Sequence, residues 1–203
     1  MTPDILPRSF YLRPDVVRIA KDLLGKYLVT ETDGVITAGM ICETEAYAGN
    51  IDRASHAYGG KRTARTEIMY REGGTAYVYL CYGMHSLFNV VTNDPEIPHA
   101  VLIRGIESAE GVEVMLQRSG KSPKTKNPGI GPGNVTKLLG IHFRQTGTDL
   151  VRGPGSARGD GIWIEDRGLK IDPAFIISGP RIGVAYAGED ALLLYRFRIT
   201  YHR

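Results

Sequence analysis

Two cysteines, Cys42 and Cys81, are all that 203 residues contain. Two are too few for a disulfide framework, and they point to a reducing, cytoplasmic setting. No stretch approaches the ~18 consecutive apolar residues that a membrane span requires. The opening "MTPDILPRSFYLRP" lacks an apolar core followed by a small-residue cleavage site, so it does not read as a secretory signal. The five histidines are scattered, with no H-E-x-x-H pair and no Cys/His cluster, so no metal site is expected. The H-x-E with P-C-x-x-C signature of zinc base deaminases is missing. G-x-S-x-G is missing too, and "GIGPGNVTK" fails as a P-loop because Lys137 follows Thr136 instead of preceding a hydroxyl residue.

Acidic residues are missing where basic ones gather. From Val114 to Thr148 there is no Asp or Glu, yet Arg118, Lys121, Lys124, Lys126, Lys137 and Arg144 fall there. A second basic cluster comprises Arg53, Lys61, Arg62, Arg65 and Arg71. Unneutralised basic patches attract polyanions, nucleic acid first among them, although a solvated face on a mildly basic protein reads the same way. The overall profile, 42% hydrophobic and 23% charged, is that of one globular domain spanning residues 1–203.

Along the chain, "RPDVVRIAKDLLG" predicts an amphipathic helix with Pro14 in its first turn and Gly25 closing its end. Two strands joined at Asp33-Gly34 follow, the strongest short hairpin signal. Residues 48–74 lack periodicity and read as a long surface loop, a length that is usually functional. "TAYVYLCYGMHSLFNVV" predicts a second hairpin whose tip carries Tyr82, Gly83 and Met84, where small polar residues are the rule. Further strands are expected at "AVLIRGIE", "GIWIED", "RIGVAYAG" and "LLLYRFRITY", and helices at "EGVEVMLQRS" and "VTKLLGI". The glycine turn before the last of these offers backbone N–H groups to a phosphate, with Lys137 adding charge. The mixture predicts an α+β domain with a largely antiparallel, curved sheet, flanking helices and a protruding hairpin.

Glu43 and Glu45 sit inside the strand "GMICETEAYAGN", an expensive place for ionised carboxylates unless they are paired, solvated or used. Tyr47 shares their face, two residues on from Glu45. Aromatic faces beside a basic surface suit base stacking, and a Tyr/Met tip suits a wedge that unstacks a duplex step.

The segments "ETEAY", "ASHAYGG", "AYVYLCYGMHSLFNVV", "AVLIRGIE" and "RIGVAYAGE" resemble the 3-methyladenine (alkyladenine) DNA glycosylase family. The likeness runs from "ILPRSFY" to almost the last strand, with the motifs in order. It implies a monofunctional glycosylase that turns a damaged purine out of double-stranded DNA and hydrolyses its N-glycosidic bond, acting as a monomer and without a cofactor. Among the implied residues, Glu45 deprotonates the attacking water, with Arg104 and the Val184 carbonyl holding that water. Tyr47, His56 and Tyr79 line the base pocket, and Asn89 disfavours the guanine 2-amino group. Tyr82, with Met84 beside it, fills the gap left in the duplex, while Lys61, Thr63, Arg65 and Lys137 meet the DNA backbone. Glu43 is left with a structural partner. Methylated purines, hypoxanthine and ethenoadenine are the implied lesions, and for neutral ones the sequence assigns no acid to protonate the leaving base.

The chain departs from the family pattern in Ala64-Arg65-Thr66, in "YREGGTAYVY", in "GPGNVTKLL" and in lacking a tryptophan after "AGE". These departures bear on backbone contacts and substrate range. Two other readings are a lesion-recognising DNA-binding protein without activity, and a carbohydrate hydrolase using Glu43 and Glu45. The second suits poorly, because neighbouring carboxylates on one strand cannot flank a scissile bond.

Overall fold

In the computed structural model, residues 4–154 and 161–200 are described. A four-residue helix, α1 (Arg8–Tyr11), leads into α2 (Val16–Asp22). Asp15 rather than Pro14 starts α2: its carboxylate accepts the Arg18 N–H, an ordinary N-cap. The strands β1 (Tyr27–Thr32) and β2 (Val35–Tyr47) follow, joined by Asp33 and Gly34 at φ 51° and 75°. Positive φ at both central residues is the hairpin turn that Asp-Gly favours.

Residues 48–74 are only in part the surface loop their composition suggested: residues 58–65 are exposed, and the remainder is partly buried. Three short 3-10 helices fold the segment down, and Ala54, Ala57, Met69 and Tyr70 are buried. Next come β3 (Ala76–Cys81), β4 (His85–Thr92), β5 (His99–Glu110), α3 (Val112–Ser119) and α4 (Pro132–Leu139). Past β6 (Gly161–Glu165) and β7 (Ile176–Gly179), the segment "RIGVAYAG" is not a strand. It is a turn leading into a 3-10 helix, Ala185–Leu192, because Gly183 and Gly188 hold φ at 76° and 59°, outside the extended region. The last strand, β8, covers only Arg196–Ile199.

All pairings are antiparallel, in the order β3-β4-β5-β2-β1-β6, with β8 joining β2 and β7 joining β8. The result is one α+β domain with a curled antiparallel sheet. One face of the sheet, with Ile41, Ala46, Val78, Phe88, Val90, Val101 and Ile103, packs against the helices through Ile19, Leu23, Met115, Val135 and Leu138. The opposite face, toward the β3, β4 and β5 end, is covered by the 48–74 segment through Ala57, Met69 and Tyr70. No helix among the described residues is long and apolar enough to cross a membrane.

The approach to α4 is tied to β5 by close packing. Gly131 N–H donates to the Arg104 carbonyl, and a Cβ on Gly129 would lie 2.2 Å from the Ile106 carbonyl oxygen. Gly129→Ala is therefore expected to destabilise by ~1–3 kcal/mol, because the atom met is backbone and not a flexible side-chain end. Gly133→Ala, whose Cβ would meet His85 at an ordinary 3.5 Å, serves as the control and should be neutral or stabilising. Urea melts of the two variants check this, and equal midpoints would show that Gly129 is not tightly packed.

Candidate active site

Register assembles the site. Residues directly opposed in an antiparallel sheet share a face, and Tyr77 opposes Asn89, Asn89 opposes Leu102, and Leu102 opposes Glu45. The next row brings Tyr79 opposite Leu87 on one side and Tyr47 opposite Ala100 on the other. Apart from Glu45, all of these line one cavity of about 480 Å³ together with His56, Arg65, Arg104, Ile182, Val184 and Tyr186. That volume falls within the range of small-ligand sites.

Two irregularities in the β2–β5 ladder aim the charged groups. Ile41 opposes Ile106 and Glu43 opposes Gly105, leaving Cys42 as an extra residue on β2. Thr44 then opposes Ile103, leaving Arg104 as an extra residue on β5. Bulges of this kind bend a strand and redirect a side chain. The Arg104 guanidinium lies against both carboxylates, its Nε 3.2 Å from Glu43 Oε1 and 3.4 Å from Glu45 Oε1. Glu43 has a second partner in Arg196, at 2.8 Å.

Glu45 has no exposure to solvent. It lies just behind the cavity wall, touching it through three lining residues. Ile182 donates its backbone N–H to Oε1 at 2.8 Å, the Tyr47 hydroxyl donates to Oε2 at 2.8 Å, and Arg104 Nη1 reaches Oε2 at 3.5 Å. Burial raises the Glu45 pKa, with Glu43 adding a smaller push in the same direction. Arg104, the Ile182 N–H and the Tyr47 hydroxyl pull it back. The Val184 carbonyl accepts a hydrogen bond from the Ala187 N–H and keeps a lone pair to spare.

Aromatic groups make the cavity's other walls. The Tyr77 and Tyr79 rings lie 5.3 Å apart, and His56 stands edge-on to Tyr79 at 4.7 Å. His56 Nδ1 is 2.8 Å from the Tyr77 hydroxyl. Burial, then Arg65 and Lys61, push the His56 pKa down to about 4, so the imidazole is neutral near pH 7. Asn89 is buried and donates to the Tyr77 and Leu87 carbonyls. At the hairpin tip Tyr82 is 89% exposed and Met84 73% exposed, with Tyr82 held at φ 50°.

The residues expected at the DNA backbone do not gather in one place. Lys61 and Thr63 are exposed on the turn beyond His56. Arg65, also exposed, lays its guanidinium along the cavity wall, 4.6 Å from the Tyr79 ring centre and with its Nη2 3.0 Å from His56 Nε2. Lys137 lies in the last turn of α4, away from the glycine turn at the helix start, where its charge holds down the pKa of Lys121 after burial has lowered it. Arg62 is paired with Glu67 and Glu96.

Four site residues were given no role from the sequence, although three of them lie in "RIGVAYAGE". Ile182 supplies the N–H on Glu45, and Tyr186, 69% exposed, lines the cavity mouth with its hydroxyl on the Ala54 carbonyl. Asp52 and Arg181 form a buried ion pair behind Tyr47. Only the three-dimensional approach of residues more than a hundred positions apart reveals them. Among the described residues, no three His, Cys, Asp or Glu side chains converge as a metal site.

Comparison with known proteins places this architecture. The family profile described as Methylpurine-DNA glycosylase (MPG) matches residues 9–203. A protein of Clostridium perfringens (strain 13 / Type A) is 42% identical over 201 residues, covering 96% of this chain and 95% of its own length. One of Chlamydia felis is 43% identical over 197 residues, covering 97% and 96%. A third, of Bacillus licheniformis, is 43% identical over 199 residues, covering 98% and 94%. All three carry the provisional name 3-methyladenine DNA glycosylase. With a profile match over nearly its whole length and relatives above 40% identity, the chain belongs to the methylpurine-DNA glycosylase family and is a DNA glycosylase of alkylation-damage repair.

Proposed function

We propose that the protein, as a monomer, turns alkylated or deaminated purines of the 3-methyladenine, hypoxanthine and ethenoadenine type out of duplex DNA. It then hydrolyses the N-glycosidic bond with a water activated by Glu45. The observation that carries this reading is the buried Glu45 carboxylate, held by Arg104, Tyr47 and the Ile182 N–H directly behind a tyrosine-walled cavity. Alkylation at a ring nitrogen makes the purine cationic and weakens its bond to C1′, and bond breaking gives the sugar oxocarbenium character. A carboxylate next to that cation stabilises it and takes the proton from the attacking water. Arg104 and the Val184 carbonyl fix the water, and Arg104 favours the ionised form of Glu45 against the effect of burial. Among the described residues, no lysine lines the cavity, which favours water over an amine as nucleophile and an abasic site as the product.

The pocket walls fit the substrate in charge as well as shape. Tyr47 and Tyr79 offer faces for stacking, and neutral His56 adds no positive charge to repel a cationic base. Asn89, fixed by two carbonyls, crowds the position of a guanine 2-amino group. Tyr82 projects where it fills the gap left in the stack, with Met84 beside it. Turning out a damaged or mispaired base costs least, which contributes to selectivity. Lys61, Thr63 and Lys137 supply backbone contacts, and Arg65 does so by leaving the wall.

Glu45→Gln should slow release of 3-methyladenine by about 10²–10⁴-fold and leave DNA affinity within roughly tenfold. Its melting temperature should be unchanged or higher, because a glutamate whose folded pKa is raised makes its ionised form costly to fold at neutral pH. Heating the reaction products in alkali detects abasic sites, and full cleavage by the variant would refute the assignment.

Tyr82→Ala should weaken binding to lesion-bearing duplex while sparing the fold, since the side chain is almost wholly exposed. Fluorescence of 2-aminopurine beside the lesion reads base eversion, and an unchanged signal would remove the wedge role.

The single-turnover rate on a cationic lesion should rise with pH through one ionisation above the ordinary glutamate value of ~4.3 and then stay flat to neutrality. His56 should add no step near pH 6.5. A rate that falls between pH 5 and 7 would contradict Glu45 as the base.

A further inference from the structure

Behind the cavity, the Arg181 side chain is fully buried and adjoins two of the three groups that hold Glu45, Tyr47 and the Ile182 N–H. Its Nη1 donates to the carbonyl of Ala46, the residue next to Glu45, at 2.9 Å. Its guanidinium carbon lies 4.8 Å from the ring centre of Tyr47, whose hydroxyl donates to Glu45. Its own chain neighbour is Ile182, whose N–H donates to the other Glu45 oxygen. The counter-ion is Asp52, also buried. Asp52 accepts both Arg181 terminal nitrogens, one of them at 2.8 Å, and the backbone N–H groups of Ala48 and Ala54 at 3.0 Å each. Arg181 Nη2 also donates to the Asp190 carbonyl at 3.1 Å. The two oxygens of Asp52 are saturated by charge-assisted bonds, and the fork of Arg181 matches them in the planar geometry that resists rotation.

We propose that the Asp52–Arg181 pair is a positioning clamp for the catalytic carboxylate. It holds the 181–184 turn against β2, so that the Ile182 N–H stays on Glu45 Oε1 and the Val184 carbonyl stays at the water site. This inference rests on the reading of Glu45 as the water-activating base. Neither Asp52 nor Arg181 touches the reacting atoms; both act through the turn. A buried pair replaceable by apolar residues serves stability little. Here its partners are the backbone groups on either side of Glu45.

The clamp makes a claim about Glu45 whose sign separates it from plain electrostatics. The charged and titratable groups facing Glu45 are Glu43 and Tyr47 on β2, Arg104 on β5, Arg196 on β8, and Arg181 and Tyr186 on the segment after β7. Removing the negative charge of Asp52 while keeping Arg181 would by charge alone favour an ionised Glu45 and move the acid limb of the rate to lower pH. Loss of the Ile182 N–H bond disfavours the carboxylate and moves that limb to higher pH.

Asp52→Asn and Arg181→Lys, in the full-length protein, test this by single-turnover release of 3-methyladenine from duplex DNA between pH 4.5 and 8. The clamp expects the acid limb shifted upward in both variants. It also expects a rate loss of ~10–100-fold at neutral pH, the scale of a misplacement of about 1 Å. DNA affinity should stay within roughly threefold. A limb that stays in place or moves to lower pH in Asp52→Asn, or a rate loss that merely tracks the unfolded fraction in a thermal melt, overturns the clamp. If Arg181→Lys does not fold, the isosteric Asp52→Asn decides alone. Glu45→Gln runs beside them: release retained by that variant overturns the Glu45 reading itself. Release lost in Glu45→Gln with an unmoved limb in the clamp variants overturns only the clamp.

Discussion

A carboxylate removed from water must have its hydration replaced, and the fold around Glu45 meets that demand with one guanidinium, one peptide N–H and one phenol. Each comes from a different part of the chain, Arg104 from β5, Ile182 from the turn before the 3-10 helix, and Tyr47 from β2 itself. The sheet can bring them together because its ladder is irregular where it needs to be. Single extra residues on β2 and β5, Cys42 and Arg104, set the guanidinium over the pair of glutamates. Glu43 is answered on its other side by Arg196, which leaves Arg104 able to serve Glu45.

From this arrangement the rest of the molecule follows in layers. The helices cover one sheet face and build the core, so the other face near β3, β4 and β5 can carry Tyr77, Tyr79, Asn89 and Tyr47 toward a cavity. The 48–74 segment and the 181–192 segment close that cavity from two sides, and the Asp52–Arg181 pair joins them. Polar groups inside are almost all assigned, as a low-dielectric site requires. The cost of desolvating Glu45 appears as a raised pKa, a direction that suits the base role proposed for it.

What could be read beforehand divides by physical range. Local chemistry announced the Asp33-Gly34 turn, the Tyr82 hairpin and the strands around Glu45, since turn preference and alternation act over a few residues. The family likeness pointed to Glu45, Arg104, Tyr47, His56, Tyr79 and Asn89, which the sheet register and the covering segment bring to one cavity and its wall. Tertiary forces set the remainder. Ala54, Ala57, Met69 and Tyr70 have no period, yet their burial folds a supposed loop into a wall. "RIGVAYAG" has strand-forming residues, but positive φ at Gly183 and Gly188 and the pull of Asp52 on Arg181 bend it into a turn. The resemblance implied a backbone contact for Arg65, and no local pattern foretold that its guanidinium would also lie over the Tyr79 ring.

The most direct test is a crystal structure of the protein on duplex DNA bearing a purine lesion whose 2′-fluoro sugar resists cleavage. The account expects the lesion everted between Tyr47 and Tyr79, with a water bound to Glu45 and lying about 3–3.5 Å from C1′. A lesion still stacked in the duplex, or a sugar held with another side chain between it and Glu45, would contradict the account.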